Sequence, residues 1–187
     1  MSQIRETAEI FQRILRLKSF PVGIKLCQRP EELSKGKVPT EKLSLCQMVK
    51  LASQGKWQLS CPKDKMGCFT AQLMLGFRPQ SEKDIEHHIK QFTDNRKIAE
   101  NILVVKPKFK TGEIEGILVG PLENFEPDVA VLIIDSAQAL PLLEAYGLGD
   151  WQRPFLQKWD KFCLMFLWCC CFPSDTITKF GNSLCWS

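Results

Sequence analysis

The sequence has no apolar run long enough to cross a membrane. Its longest, Phe162 to Phe172, falls short of the about 20 residues that a spanning helix needs. Nor does it open on a secretory signal: MSQIRETAEIFQRILRLKSF interleaves Arg5, Glu6, Glu9, Arg13 and Arg16 with its apolar residues, so the uninterrupted apolar centre of a signal peptide is missing. Neither export nor a membrane partner is expected. The net charge is only +4 and the basic residues are scattered, with Arg13, Arg16 and Lys18 in one place, Lys35 and Lys37 in another, and Lys106, Lys108 and Lys110 in a third. A surface that follows phosphates carries a denser stripe, so nucleic acid is not an expected partner. The chain also lacks a Gly-x-Gly-x-x-Gly turn, a phosphate-binding Gly-Lys-Ser/Thr and a serine-centred elbow, which removes support for the familiar dinucleotide, nucleotide and hydrolase chemistries.

What is present is the composition of a globular domain. At 187 residues, 44% of them hydrophobic and 25% charged, the chain can bury about 70% of the surface that it exposes when unfolded. No internal repeat or low-complexity linker divides it. Ile4, Ala8, Phe11, Ile14 and Leu15 recur at helical spacing and predict a first helix from Gln3 to Leu17, stopped by Pro21. Val22 to Cys27 reads as a strand and the polar stretch Glu31 to Glu41 as a loop. A second helix starts at Leu43 or Ser44 and stops at Gly55, and Trp57 to Leu59 is a short strand. A third helix covers Phe69 to Leu75 and ends at Gly76. One or two more lie between Ser81 and Asn101. Ile102 to Val105, Gly116 to Val119 and Val129 to Ile134 are β-branched runs that read as buried strands. Asp135 and Ser136 offer a cap for a helix from Ala137 to Ala145. The expected architecture is mixed α and β, an α+β single domain over residues 1–161 with a central short-stranded sheet flanked by helices.

Cysteine is plentiful, with nine in the chain. Without an export signal they point to a reducing cytosol, where thiols serve as metal ligands or redox groups more often than as disulfides, and an odd count leaves one unpaired. Cys46 and Cys68 fall in the first turns of predicted helices, where unpaired N–H groups and the helix dipole favour thiolate. Soft thiolates bind zinc or iron–sulfur clusters. The candidate metal set is therefore Cys46, Cys68, Cys61 and, from the tail, Cys163. The spacing is not that of a Cys-x2-Cys knuckle, since fourteen and six residues separate Cys46, Cys61 and Cys68, so a reactive thiol and an inert buried cysteine stand beside metal ligation as readings. Cys61, before Pro62 and near Lys63 and Lys65, is expected on a flexible loop and in a secondary role.

Other residues carry weaker signals. His87 and His88 are adjacent, so on a helix they point about 100° apart and cannot share a metal; both read as surface histidines. Asp128 and Asp135 lie at strand ends, where ligands gather in α/β sheets, and Asp135, Ser136 and Gln138 are the candidate small-molecule or enzyme site. Trp57, Trp151 and Trp159 read as core or rim aromatics. The tail, residues 162–187, has only Asp175 and Lys179 as charges but holds Cys163, Cys169, Cys170, Cys171 and Cys185. So apolar a segment packs on the sheet, joins two copies in a homo-oligomer, or is not a selected terminus. The second would make the protein a non-catalytic interaction module.

PVGIKL from Pro21, LCQMVKLASQGKW from Leu45, Cys68 with Gly76 and Phe77 beyond it, and PLENFEPDVAVLIIDSAQALPLLEAY from Pro121 together resemble the prokaryotic domain-of-unknown-function family called ArCR. The resemblance runs from Phe11 to Tyr146. It implies that Cys46 and Cys68 match recurrent cysteines of the family and that Cys61 is an additional thiol; it implies a fold and no activity. Members continue past the helix at Gln138, Ala139 and Leu140 into a further β region, whereas this chain reads CLMFLWCCCFPSDTITKFGNSLCWS. That departure implies a frameshift or truncation near Lys161.

Overall fold

A computed structural model describes residues 3–55, 57–105, 108–135, 137–139, 142 and 163–164. Helices α1 (Gln3–Ile14), α2 (Leu45–Ala52), α3 (Phe69–Met74), α4 (Glu82–Phe92) and α5 (Arg96–Val105) surround strands β1 (Val22–Cys27), β2 (Leu59–Pro62), β3 (Gly116–Pro121) and β4 (Val129–Val131). The four strands form an antiparallel sheet in the order β2-β3-β1-β4. A two-residue strand β5 (Cys163–Leu164) lies parallel to β4, Cys163 opposite Val129. The rest of the tail is outside the described residues, as are Trp151 and Trp159.

Strand alternation divides the core between two faces. On one face Val22, Ile24, Leu59, Cys61, Ile117, Val119, Val129 and Val131 pack against Leu45, Met48, Val49 and Ala52 of α2 and against Cys68 and Ala71 at the start of α3. On the other, Ala130 meets Ala8 of α1 with Leu122, and Cys27 and Leu118 meet Leu33. Leu33 belongs to a short 3-10 helix, Pro30–Lys35, inside the stretch expected to be an irregular loop. A proline at its start and Glu32, whose carboxylate accepts from the Gln28 and Arg29 N–H groups, account for the turn.

Three strand expectations are corrected. Residues 102–105 end helix α5 rather than forming a strand. Their β-branched content is overruled by the preceding cap: Asn95 Oδ1 accepts from the N–H groups of Lys97 and Ile98 at 2.9 and 3.3 Å, and the helical spacing puts Ala99 and Leu103 on the buried side. The strand expected at Trp57 to Leu59 begins at Leu59 and runs on to Pro62, while Trp57 is exposed beneath the Lys37 ammonium. Strand β4 also stops at Val131, three residues short of Ile134. The stops expected at Gly55 and Gly76 hold, both with positive φ, as a residue just past a helix needs.

Candidate functional site

The chemistry-bearing residues gather where α2 and α3 begin. Ser44 caps α2 in a reciprocal box: its Oγ accepts from Gln47 N–H at 3.2 Å, and Gln47 Oε1 accepts from Ser44 N–H at 2.7 Å. This fixes Cys46 in the first turn, partly buried. Cys68 is itself the cap residue of α3, its Sγ accepting the Ala71 N–H at 3.4 Å, and is only 2% exposed. α3 is six residues long, so the local N–H rather than a long helix dipole is what the Cys68 sulfur meets.

The two starts are tied together by backbone. Leu43 pairs with Met66 in a parallel bridge: Leu43 N–H donates to Lys65 O at 3.3 Å, and Gly67 N–H donates to Leu43 O at 2.8 Å. Lys65 Nζ reaches Thr40 O at 3.0 Å and Gln72 Nε2 reaches Met66 O at 2.7 Å, holding both segments to one another and to α3. Cys46 follows Leu43 and Cys68 follows Met66, so both cysteines lie directly beyond this bridge, on chains running the same way. Gly67 sits within it, and a Cβ there would meet the Leu43 carbonyl carbon at 3.1 Å.

Cys61 is not on a loop. It occupies the middle of β2 opposite Ile117, wholly buried, and its thiol points to Pro62 O at 3.6 Å. Burial, with Asp64 adding to it, pushes its pKa up to about 12. Neither nearby lysine opposes this: Lys63 pairs with Glu115 at 2.9 Å and Lys65 is turned to Thr40. Cys27, on the other face, is also raised by burial. These two thiols are core filler at neutral pH. Among the described residues no group of three or more His, Cys, Asp or Glu could hold a metal ion, so Cys46, Cys61 and Cys68 do not make a three-ligand centre by themselves. Cys163 is placed by its pairing with Val129, a residue of the core cluster that contains Cys61 and Cys68. Cys169, Cys170, Cys171 and Cys185 lie outside the described residues.

At the other candidate site, Asp135 and Gln138 form a cap. Asp135 Oδ1 accepts from Gln138 N–H at 3.0 Å, and Gln138 Oε1 accepts from Asp135 N–H at 2.9 Å. Gln138 Nε2 also donates to Arg16 O at 2.9 Å, and Lys18 Nζ stands 3.5 Å from Asp135 Oδ2. Ser136 is outside the described residues. The ligand-gathering crevice expected at strand ends belongs to parallel sheets, and the four strands β2, β3, β1 and β4 are paired antiparallel, with only the two-residue β5 parallel to β4 among the described residues. Asp128 is likewise structural: its Oδ2 accepts the Leu26 N–H at 2.7 Å, beyond Ile24, where β1 has no pairing with β4 because β4 begins only at Val129.

A family model described as Uncharacterised ArCR, a domain of unknown function, matches residues 10–167. The chain belongs to the ArCR family. The match extends six residues past Lys161, the position expected for a frameshift or truncation, and leaves residues 168–187 outside. No curated protein and no solved structure matches the chain.

One polar network in this ArCR protein escaped the sequence reading. Asp84, 1% exposed, receives both ends of the Arg78 guanidinium at 2.9 and 2.5 Å and the Ser81 N–H at 2.8 Å. Arg78 also lies 3.9 Å over the Phe69 ring and donates to Phe69 O at 3.1 Å. It thereby fastens α4 to the residue that follows Cys68. His88, expected at the surface, is instead buried, its Nδ1 2.8 Å from Asp84 O; His87 is partly exposed and rests against Phe69. The available signal was Ser81-x-x-Asp84, a capping box written in the sequence.

Proposed function

We propose that this ArCR protein is a redox protein of a reducing cytosol that works through the thiols of Cys46 and Cys68. The observation that carries this reading is the Leu43 to Met66 bridge, which sets the two helix starts side by side. Cys46, only partly buried in the first turn of α2, is the thiol placed to ionise and react, whereas Cys61 and Cys68 are both buried and Cys68 differs in having the Ala71 N–H on its sulfur. Among the described residues no helix is long and apolar enough to cross a membrane, which suits a protein that meets its partners in water. The test is limiting alkylation at neutral pH followed by peptide mapping. Cys46 is expected to be labelled first and Cys61 last; labelling of Cys61 ahead of Cys46 overturns the reading.

A metal form of the same site, zinc or an iron–sulfur cluster, is the second reading, favoured by the pairing of Cys163 with Val129 beside the core that holds Cys68. It needs a ligand besides Cys46, Cys61 and Cys68, and Cys163, on the strand paired with β4, is the candidate. Anaerobic purification with metal and sulfide analysis tests it: bound metal should disappear in Cys46→Ser and Cys68→Ser and persist in Cys61→Ser. Protein purified this way without metal or sulfide ends the metal form and leaves the thiol reading to the alkylation result. A small-molecule site at Asp135, Ser136 and Gln138 is the weaker alternative, because the Asp135 and Gln138 side chains are already engaged in capping.

A further inference from the structure

The two cysteines are unequal. Cys46 is partly buried on the first turn of α2, while Cys68 is 2% exposed and hydrogen-bonded through sulfur to Ala71 N–H. An incoming disulfide can be approached by the first and not by the second. A parallel bridge between Leu43 and Met66 brings the two chains to within about 4.8 Å of each other just before Cys46, three residues beyond Leu43, and Cys68, two beyond Met66. Gly67 lies at the surface, where core packing makes no demand for glycine. Yet a Cβ at this position would come within 3.1 Å of Leu43 C, 3.2 Å of Leu43 O and 3.3 Å of Lys42 C. Contacts that short require the neighbouring chain to give by a few tenths of an ångström. The residue immediately before Cys68 thus sets how closely the segment leading to Cys46 can approach.

Resting on the thiol-pair reading above, we propose that Cys46 and Cys68 are a dithiol that reduces disulfide substrates, with Cys46 attacking, Cys68 resolving and Gly67 fixing the gap between them. In the first step the Cys46 thiolate attacks one sulfur of the substrate disulfide. A Cys46–substrate S–S bond forms, the substrate S–S bond breaks, and the first substrate thiolate leaves. In the second step the Cys68 thiolate attacks Cys46 Sγ, forming a Cys46–Cys68 disulfide and releasing the second substrate thiolate. Two electrons pass from the dithiol to the substrate, and the two protons given up by Cys46 and Cys68 end on the released thiols. The Ala71 N–H, already directed at Cys68 Sγ, favours the anionic sulfur that the second step requires.

Glutathione disulfide is the probe, used on the full chain. Wild-type protein is expected to release two equivalents of glutathione and to yield a linked pair of peptides carrying Cys46 and Cys68. Cys68→Ser should stop after one equivalent with glutathione on Cys46, and Cys46→Ser should release none through this pair. Gly67→Ala should leave the first step unchanged and slow the second by about tenfold, the scale expected of a small misplacement of reacting groups. The wild-type peptide map stands whether or not any variant folds. If Cys46 accepts glutathione but no Cys46–Cys68 disulfide follows, or if a different cysteine resolves it, the dithiol proposal is overturned while the reactive Cys46 remains. If Cys46 resists alkylation as well, the thiol reading itself has failed.

Discussion

Asp84 shows what a single buried charge requires. Burial by itself raises its carboxyl, but the hydrogen bonds from Arg78 and from the Ser81 backbone win, and the net shift is below the ordinary value of 3.8. A carboxyl whose folded value is depressed contributes stability that is present above the unfolded value and is lost as pH falls through the folded one. Asp84→Asn is therefore expected to destabilise the neutral protein by about 3 kcal/mol, since it leaves a one-fifth-exposed guanidinium without its partner. It should also flatten the loss of stability below pH 3.8. Urea melts of both proteins at neutral and acid pH check this; equal midpoints at neutral pH would refute it. At this scale the sequence was legible where a residue acts through its neighbours in the chain. Cys46, Cys68 and the Asp135 cap were all placed by local helix-start logic. Cys61 and His88 were not: Cys61 takes its environment from β3, and His88 lies on the buried side of α4 between Asp84 O and the Phe92 ring, a side that the polar residues around it do not announce. Pro62, Lys63 and Lys65 made Cys61 look solvated, yet the strand runs through Cys61 to Pro62, which still pairs with Gly116, and the lysines follow in a 3-10 turn.

Helix ends were read better than helix identities. Ser44, Gly55 and Gly76 mark real boundaries, whereas the run Ile102, Leu103, Val104 and Val105 was misassigned because composition was weighed above the cap at Asn95. The burial of Ala99 and Leu103, four residues apart, with Val104 exposed at 77%, shows why period matters more: the apolar side recurs at the helical interval. The end of α1 carries a further lesson. Leu15 N–H donates to Phe11 O and Leu17 N–H to Gln12 O, and between them Arg16 holds a φ of 50°. This is the left-handed closing residue that helices normally give to glycine. An L residue with a Cβ is strained there by about 1 kcal/mol, so Arg16→Gly is expected to stabilise the protein by up to about 0.5 kcal/mol after the extra entropy of an unfolded glycine is counted. Because the Arg16 carbonyl, and not its side chain, accepts from Gln138, that contact survives the change. Thermal melts of the variant decide it, and a lower melting temperature contradicts the strain argument.

For the whole molecule, the α+β class followed from counting elements, but the sheet order did not, because it is set by pairings between distant segments. β3 joins β2 to β1 across more than fifty residues of sequence on one side and about ninety on the other, and only the register reveals that all four strands run antiparallel. That order has a consequence for how the molecule opens. β1 and β3 are each paired on both sides, and every residue of β3 is buried. α1, by contrast, rests on the sheet through Ala8, Ile4 and Phe11 against Leu122 and Ala130, with Ile10 and Ile14 exposed. Amides whose exchange requires the loss of many buried contacts exchange only through global unfolding, while an element held by a small cluster opens at lower free energy. Native-state hydrogen exchange should therefore find Ile24, Ile117, Leu118 and Val119 the slowest, and the α1 amides exchanging well before them. The α2 and α3 starts should group with the sheet, since Leu45, Met48 and Cys68 share its larger core cluster. A dithiol that must open and close a bond without losing its partner needs that rigid support. Exchange of α1 as slow as β3, or of the Leu43 to Cys68 region as fast as α1, would show that the sheet does not anchor the thiol pair.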